Sequence, residues 1–152
     1  MSMNLSLKQA SEVELARIAR EGVDEDILMG ADGALDLDKS WHLLHYLFTG
    51  RAWDGPMPAA ALLTGGREVG EDLGYGPARA LSAKETQAFA QFLASQSETA
   101  LVKKMNVPQM QSMEIYSVDD DSREDLNHYF PQLKSYVADA AAKGQGLLIW
   151  MS

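Results

Sequence analysis

The 152-residue sequence has no cysteine, which excludes disulfide staples, thiolate nucleophiles and cysteine-ligated metals. It has no long apolar run. The strongest, "LLIWM" at Leu147–Met151, falls far short of the roughly 20 residues a membrane-spanning helix needs. The opening "MSMNLSLKQA" lacks the apolar stretch of a leader, so the chain reads as cytoplasmic, with no membrane partner. Positive charge is scarce: 13 lysines and arginines face 22 aspartates and glutamates, a formal net charge of -9. Binding to a phosphate backbone requires the opposite balance, so nucleic acid is not an expected partner. A protein with a basic surface is a possible one, because long-range attraction would speed its encounter with this chain, while acidity also serves plain solubility.

What is present is the composition of an ordinary folded domain, 46% hydrophobic and 23% charged. A chain of this length buries about two-thirds of its unfolded surface, enough for one core and a single domain over residues 1–152. Met1, Met3, Leu5 and Leu7 alternate with polar residues as in a strand buried on one face. Ser11 with Glu14, and Ser82 with Glu85, carry the spacing of capping boxes, each followed by apolar residues at helical intervals. Further helical stretches are read in "DEDILMGADG", between Pro58 and Gly65, in "SETALVKKM", and from Leu126 to Ala140 behind "DDDS", where Pro131 either kinks one helix or opens a second. "MEIYSV" reads as a strand, residues 64–77 as a glycine-rich loop, Ala78–Leu81 as a short strand, and Leu147–Met151 as a central strand apolar on both faces. No repeat is visible. The sum is an α+β domain, helices packed on a small mixed sheet.

The segment "LDLDKSWHLLHYLFTG", Leu35–Gly50, is the most informative. Wound as one helix, it places Leu37, Leu43, Leu44, Leu47 and Phe48 with Trp41 on one apolar arc, and Asp38, His42 and His45 along the border of that arc. Histidines three apart can reach a common ligand, and a carboxylate four residues ahead of His42 can orient its ring. Yet no third metal ligand is named, and leucines stand where the zinc-protease pattern needs its glutamate, so neither metal nor cofactor is expected. The glycine loop lacks the ending of a phosphate loop and does not complete a dinucleotide fingerprint; Tyr75 and Arg79 are candidates to line a cleft beside it. "DDDSREDLNHYF" fails as a calcium loop, with Glu124 where glycine is required and Phe130 in place of the closing acid. No serine sits in a nucleophile elbow, and Glu114 and Tyr116 of "MEIY" complete the candidate ligand-binding residues without forming a catalytic pair. Catalytic residues are therefore unassigned. Periodicity does not place Trp53 inside or outside.

"MSMNLSLKQASEVELARI", "LDLDKSWHLLHYLFTG", "LGYGPARALSAKET", "MEIY" and "YVADAAAKGQGLLIW" together resemble the YfbM-like family of bacterial domains of unknown function, over nearly the whole chain. The departures are Ser117, where relatives often carry proline, and a short segment between Gly22 and Leu35. The resemblance implies a compact α+β domain in a stand-alone bacterial cytoplasmic protein, and no reaction. Three functional classes fit this inventory: a non-enzymatic protein binder of antitoxin or immunity type, a small-molecule binder or enzyme with a cleft around Asp38, His42 and His45, and a structural unit that oligomerises through an exposed apolar patch. The second requires both histidines to open into a pocket shared with the glycine loop.

Overall fold

The structure, a computed structural model, describes residues 2–28 and 33–152. Along the chain run β1 (Leu5–Ala10), α1 (Glu12–Glu21), α2 (Glu25–Leu28), β2 (Leu35–Asp36), α3 (Trp41–Thr49), α4 (Ala61–Thr64), β3 (Arg67–Asp72), β4 (Pro77–Leu81), α5 (Ala83–Ala94), α6 (Glu98–Lys103), α7 (Val107–Ser112), α8 (Ser122–Ala142) and β5 (Gly146–Met151). The strands form one sheet in the order β2-β1-β5-β4-β3. All four pairings are antiparallel, so the α+β class holds while the sheet is not mixed.

β5 lies at the centre, and its alternation explains why it is apolar throughout. Leu147 and Ile149 join the larger core under α3, α5, α7 and α8, while Leu148 and Trp150 join a smaller core that α1 covers with Leu15 and Ile18. Both capping boxes form as their spacing dictates, Ser11 with Glu14 and Ser82 with Glu85. Pro131 sits inside one continuous α8, on its exposed side, where the helix interior loses one backbone bond and Phe130 and Leu133 still reach the core. No helix among the described residues is long and apolar enough to cross a membrane.

Several expectations are corrected. The opening strand begins at Leu5 rather than at Met1, which lies outside the described residues together with the "MGAD" at 29–32. The helix expected from Pro58 is confined to Ala61–Thr64, with Gly65 ending it as its position suggested. Within the glycine-rich stretch, 67–72 is an edge strand. β3 pairs with β4 around a bulge, and only Val69 of its residues is buried, so its polar sequence carries no strand period. Glycine is required at Gly66, whose φ is +79° and where a Cβ would stand 2.3 Å from the carbonyl oxygen of Ala80. "MEIYSV" is a turn and not a strand: Glu114 and Ser117 both adopt φ of 60°, which no strand accommodates.

The Leu35–Gly50 segment is not one helix. Leu37 N–H donates to the carbonyl of Leu5 (2.8 Å), drawing the start of the segment onto β1. Asp36 accepts the N–H of Asp38 (2.7 Å), and Asp38 turns the chain with φ of 51°. The helix begins only at Trp41, behind Ser40, and neither aspartate caps it.

Candidate functional site

α3 is short because it is closed at both ends: the turn at Asp38 precedes it, and Gly50, left-handed at φ 74°, stops it with its N–H on the carbonyl of Tyr46. Seven of its nine residues are buried, among them both histidines, each fully inaccessible. A histidine at such a position must satisfy its ring nitrogens internally. His42 does so on both sides. Its Nε2 lies 2.6 Å from the carbonyl oxygen of Ala52, and its Nδ1 accepts the backbone N–H of Tyr116 at 2.7 Å. A carbonyl can only accept and an N–H can only donate, so the ring is neutral with its proton on Nε2. His45 Nε2–H donates to the carbonyl of Asp54 at 2.9 Å, and its Nδ1 is buried without a partner.

The two histidines therefore clamp the loop that follows their own helix, at residues 52 and 54, on either side of Trp53. Trp53 is 58% exposed. It lies tilted against two rings at once, with centroids 4.3 Å from His42 and 6.1 Å from Trp41, and Trp41 in turn stacks with His42 at 5.0 Å and with Tyr116 at 5.5 Å. The base of the stack is tied to the N-terminal backbone: Trp41 Nε1–H donates to the carbonyl of Met3 (2.9 Å) and Met3 N–H donates to the Tyr116 hydroxyl (3.1 Å). Arg51 and Asp54 close the loop from outside with a two-pronged ion pair (2.7 and 3.0 Å), and Met57, 48% exposed, stands on the same loop.

The residues singled out by sequence are thus partly assembled and partly dispersed. Trp41, His42 and Tyr116 meet in one stack; His45 lies one turn along; Asp38 is in the turn before the helix. Glu114 is exposed on its turn. Tyr75 projects from the β3–β4 hairpin, and the Arg79 guanidinium is spent on backbone carbonyls of α4 and Gly65. The pocket shared by both histidines with the glycine loop is not formed among the described residues, because both rings are sealed into the core. No group of three His, Cys, Asp or Glu among the described residues is arranged to hold a metal ion. Periodicity left Trp53 unplaced and gave no sign of Met57; the available signal was an aromatic inside turn residues, "AWDGP", following a buried helix.

A family model described as "Domain of unknown function (DUF1877)" matches residues 1–150. The chain belongs to this family. Its fold is similar over the full length of both chains to the crystal structure of YfbM from Escherichia coli, a protein of unknown function, with a TM-score of 0.74 at 19% identity. No curated protein matches the sequence. The YfbM-like resemblance read from the five segments over nearly the whole chain thus holds.

Burial lowers the pKa of both histidines below the ordinary 6.5, only partly opposed by their bonds to the carbonyls of Ala52 and Asp54. In the unfolded chain they take up protons as the pH falls through about 6.5, and in the folded chain they resist doing so. Stability is therefore expected to be level above pH 7 and to decline from about 6.5 downward until the lowered folded values are passed. Urea midpoints measured between pH 7.5 and 5 check this, and replacing both histidines should flatten the profile over that window. An unchanged profile would contradict the sealed environment.

Proposed function

We propose that the protein is a non-enzymatic bacterial cytoplasmic protein that binds another protein, in the manner of an antitoxin or immunity partner, through the loop at residues 51–58. The observation that carries this is the mounting of Trp53: the residue is more than half exposed while the carbonyls on both sides of it are bonded to buried histidines. Tryptophan dominates binding hot spots, and a side chain fixed before contact loses little entropy on binding. Of the four large apolar side chains left exposed among the described residues, two, Trp53 and Met57, belong to this loop. A cleft enzyme finds less support, since His42 has both ring nitrogens engaged in structural bonds and Arg79 is likewise engaged.

The test compares wild-type protein with Trp53→Ala in capture from the source lysate, followed by affinity measurement on whatever protein the wild type alone retains. Trp53→Ala should fold with stability within about 1 kcal/mol of wild type, since the side chain is mostly exposed. It should weaken binding of the retained partner by roughly 30-fold or more, the level of a hot-spot residue. Equal retention by both proteins, or specific retention by neither, would overturn the proposal.

A further inference from the structure

Helix α8 sorts its charges by side. Turning about 100° per residue from Arg123 brings Lys134, Asn127, Ala138 and Pro131 within roughly 80° of it, while Asp125 and Asp139 fall at about 200° and 160°. The basic side borders two open hollows that share Glu98, at the start of α6. One, of about 600 Å³, lies over Phe130, Pro131, Lys134 and Ala138; the other, of about 360 Å³, lies between Val102, Lys103, Arg123 and Asn127. Together they form a groove between α6 and α8. Glu98 is the one acid among its described lining residues, against the three cations Lys103, Arg123 and Lys134. In a chain of 22 acids and 13 bases, that balance is inverted.

These cations are not consumed by their neighbours. Lys103 and Arg123 are exposed, and neither has an ion pair or a side-chain hydrogen bond among the described residues. Lys134 is positioned without being neutralised: its ammonium donates to the carbonyl of Gln96 (3.2 Å) and stands 5.7 Å from the centre of the Phe130 ring. Val102, Pro131 and Ala138 give the groove an apolar lining between the charges. Pro131 also has no N–H to offer the carbonyl of Asn127 one turn earlier, which leaves that oxygen without its helical donor.

We propose that this groove binds an extended acidic segment of a partner protein, with carboxylates at its two ends and apolar side chains between them. Acidic surface elsewhere on the protein repels such a segment, and so confines it to the groove. An extended chain suits the site better than a helix, because it has backbone N–H groups to spare for the Asn127 carbonyl. Helical rise separates Arg123 from Lys134 by roughly 16 Å, the span of about five extended residues, which sets the spacing of the carboxylates. Nucleic acid would supply negative charge without the apolar part, and its continuous phosphates would meet a net charge of -9. The groove shares no lining residue with the 51–58 loop, so the proposal stands apart from the reading of Trp53.

The experiment titrates the full chain with a capped octapeptide, two glutamates at each end and leucine alternating with alanine between, and follows backbone amides by nuclear magnetic resonance. The same peptide with glutamines for glutamates is the neutral control, and octathymidylate is the competing class of anion. The acidic peptide should shift the amides of residues 96–103 and 123–138 along one saturable curve, and the neutral peptide should bind about tenfold more weakly or worse. Lys103→Glu combined with Arg123→Glu should also cost about tenfold or more, and Lys134→Gln about threefold. Both positions of the double variant are exposed, so its melting temperature should stay within a few degrees of wild type. Trp53→Ala should bind the peptide as the wild type does. Shifts spread evenly over the surface, undiminished binding by the double variant, or octathymidylate binding as tightly as the peptide would overturn the proposal. None of those results bears on whether Trp53→Ala loses a protein partner from lysate, so the two readings fail separately.

Discussion

Replacing His42 with alanine is expected to lower the unfolding free energy by about 3–5 kcal/mol, a fall in melting temperature on the order of 10 °C for a chain of this size. Two losses combine. The carbonyl of Ala52 and the N–H of Tyr116 lose a buried partner at the same time, and each unsatisfied group costs roughly 1–3 kcal/mol. The missing ring also leaves a gap beside Trp41 and Trp53, both of which lose their contact with it. His45→Ala should cost less, because only one hydrogen bond disappears and an unpartnered nitrogen goes with it. The two isosteric halves of the ring can be tested separately. Asparagine offers an acceptor near the position of Nδ1 and should keep the Tyr116 bond; glutamine offers a donor near the position of Nε2 and should keep the Ala52 bond. Each should recover part of the loss and neither all of it. The readout is thermal unfolding by circular dichroism together with Trp53 accessibility to a neutral quencher, which should rise in His42→Ala as the loop comes away from its support. A variant as stable as wild type would mean that the buried ring is not the link between α3, the 51–58 loop and the 114–117 turn.

The same histidine shows where sequence reasoning reached and where it stopped. Periodicity correctly placed His42 and His45 beside the apolar arc of α3, because helical angles follow from numbering alone. It could not show that the border of the arc would be covered. The covering comes from residues 52–54, folded back over the helix, and from Tyr116, 74 positions away. A polar residue next to a core stripe looks the same in sequence whether water or another segment lies over it. Asp38 was lost from the expected row for a related reason: Leu37 pairs with β1, a contact made between distant parts of the chain, and the helix could start only after that pairing ended. Strand β3 stayed hidden because an edge strand with one buried residue and a bulge has no alternation to read, whereas β5, buried on both faces, announced itself as an unbroken apolar run. The capping boxes at Ser11 and Ser82 were legible because their chemistry is complete within four residues. Tyr116 and Glu114 illustrate the opposite: a segment of strand-forming residue types is a turn with two positive-φ residues, in which the Tyr116 N–H bonds to His42 and Ile115 is buried.

Arg79→Ala is expected to be the other strongly destabilising change, by about 2–4 kcal/mol, although this arginine has no ion-pair partner among the described residues. It stands on β4 with its side chain directed at the end of α4, where it donates to the carbonyls of Ala61 (3.0 Å), Gly65 (2.6 Å) and Leu62. A four-residue helix has no interior; nearly all of its carbonyls belong to its last turn and need donors from outside. A guanidinium suits this because its donors spread in one plane and reach several oxygens at once, and the negative end of the helix favours its charge. Burial pushes the Arg79 pKa down to about 10, with Glu68 acting in the opposite sense, so the group is still charged at neutral pH and its desolvation is a standing cost. That cost decides between the possible replacements. Methionine removes both the charge and the donors, leaving the carbonyls of Leu62 and Gly65 short while Ala61 keeps the N–H of Gly65, and should be nearly as damaging as alanine. Lysine keeps the charge but concentrates its donors at one point, and should recover no more than about half of the loss. Urea unfolding of the three variants gives the comparison, with the melting temperature as a second measure. If methionine matched or exceeded the wild type, burial of the charge would outweigh its bonds to the helix end, and the segment joining the Trp53 loop to the sheet would be held by the packing of Ala61 and Leu62 alone.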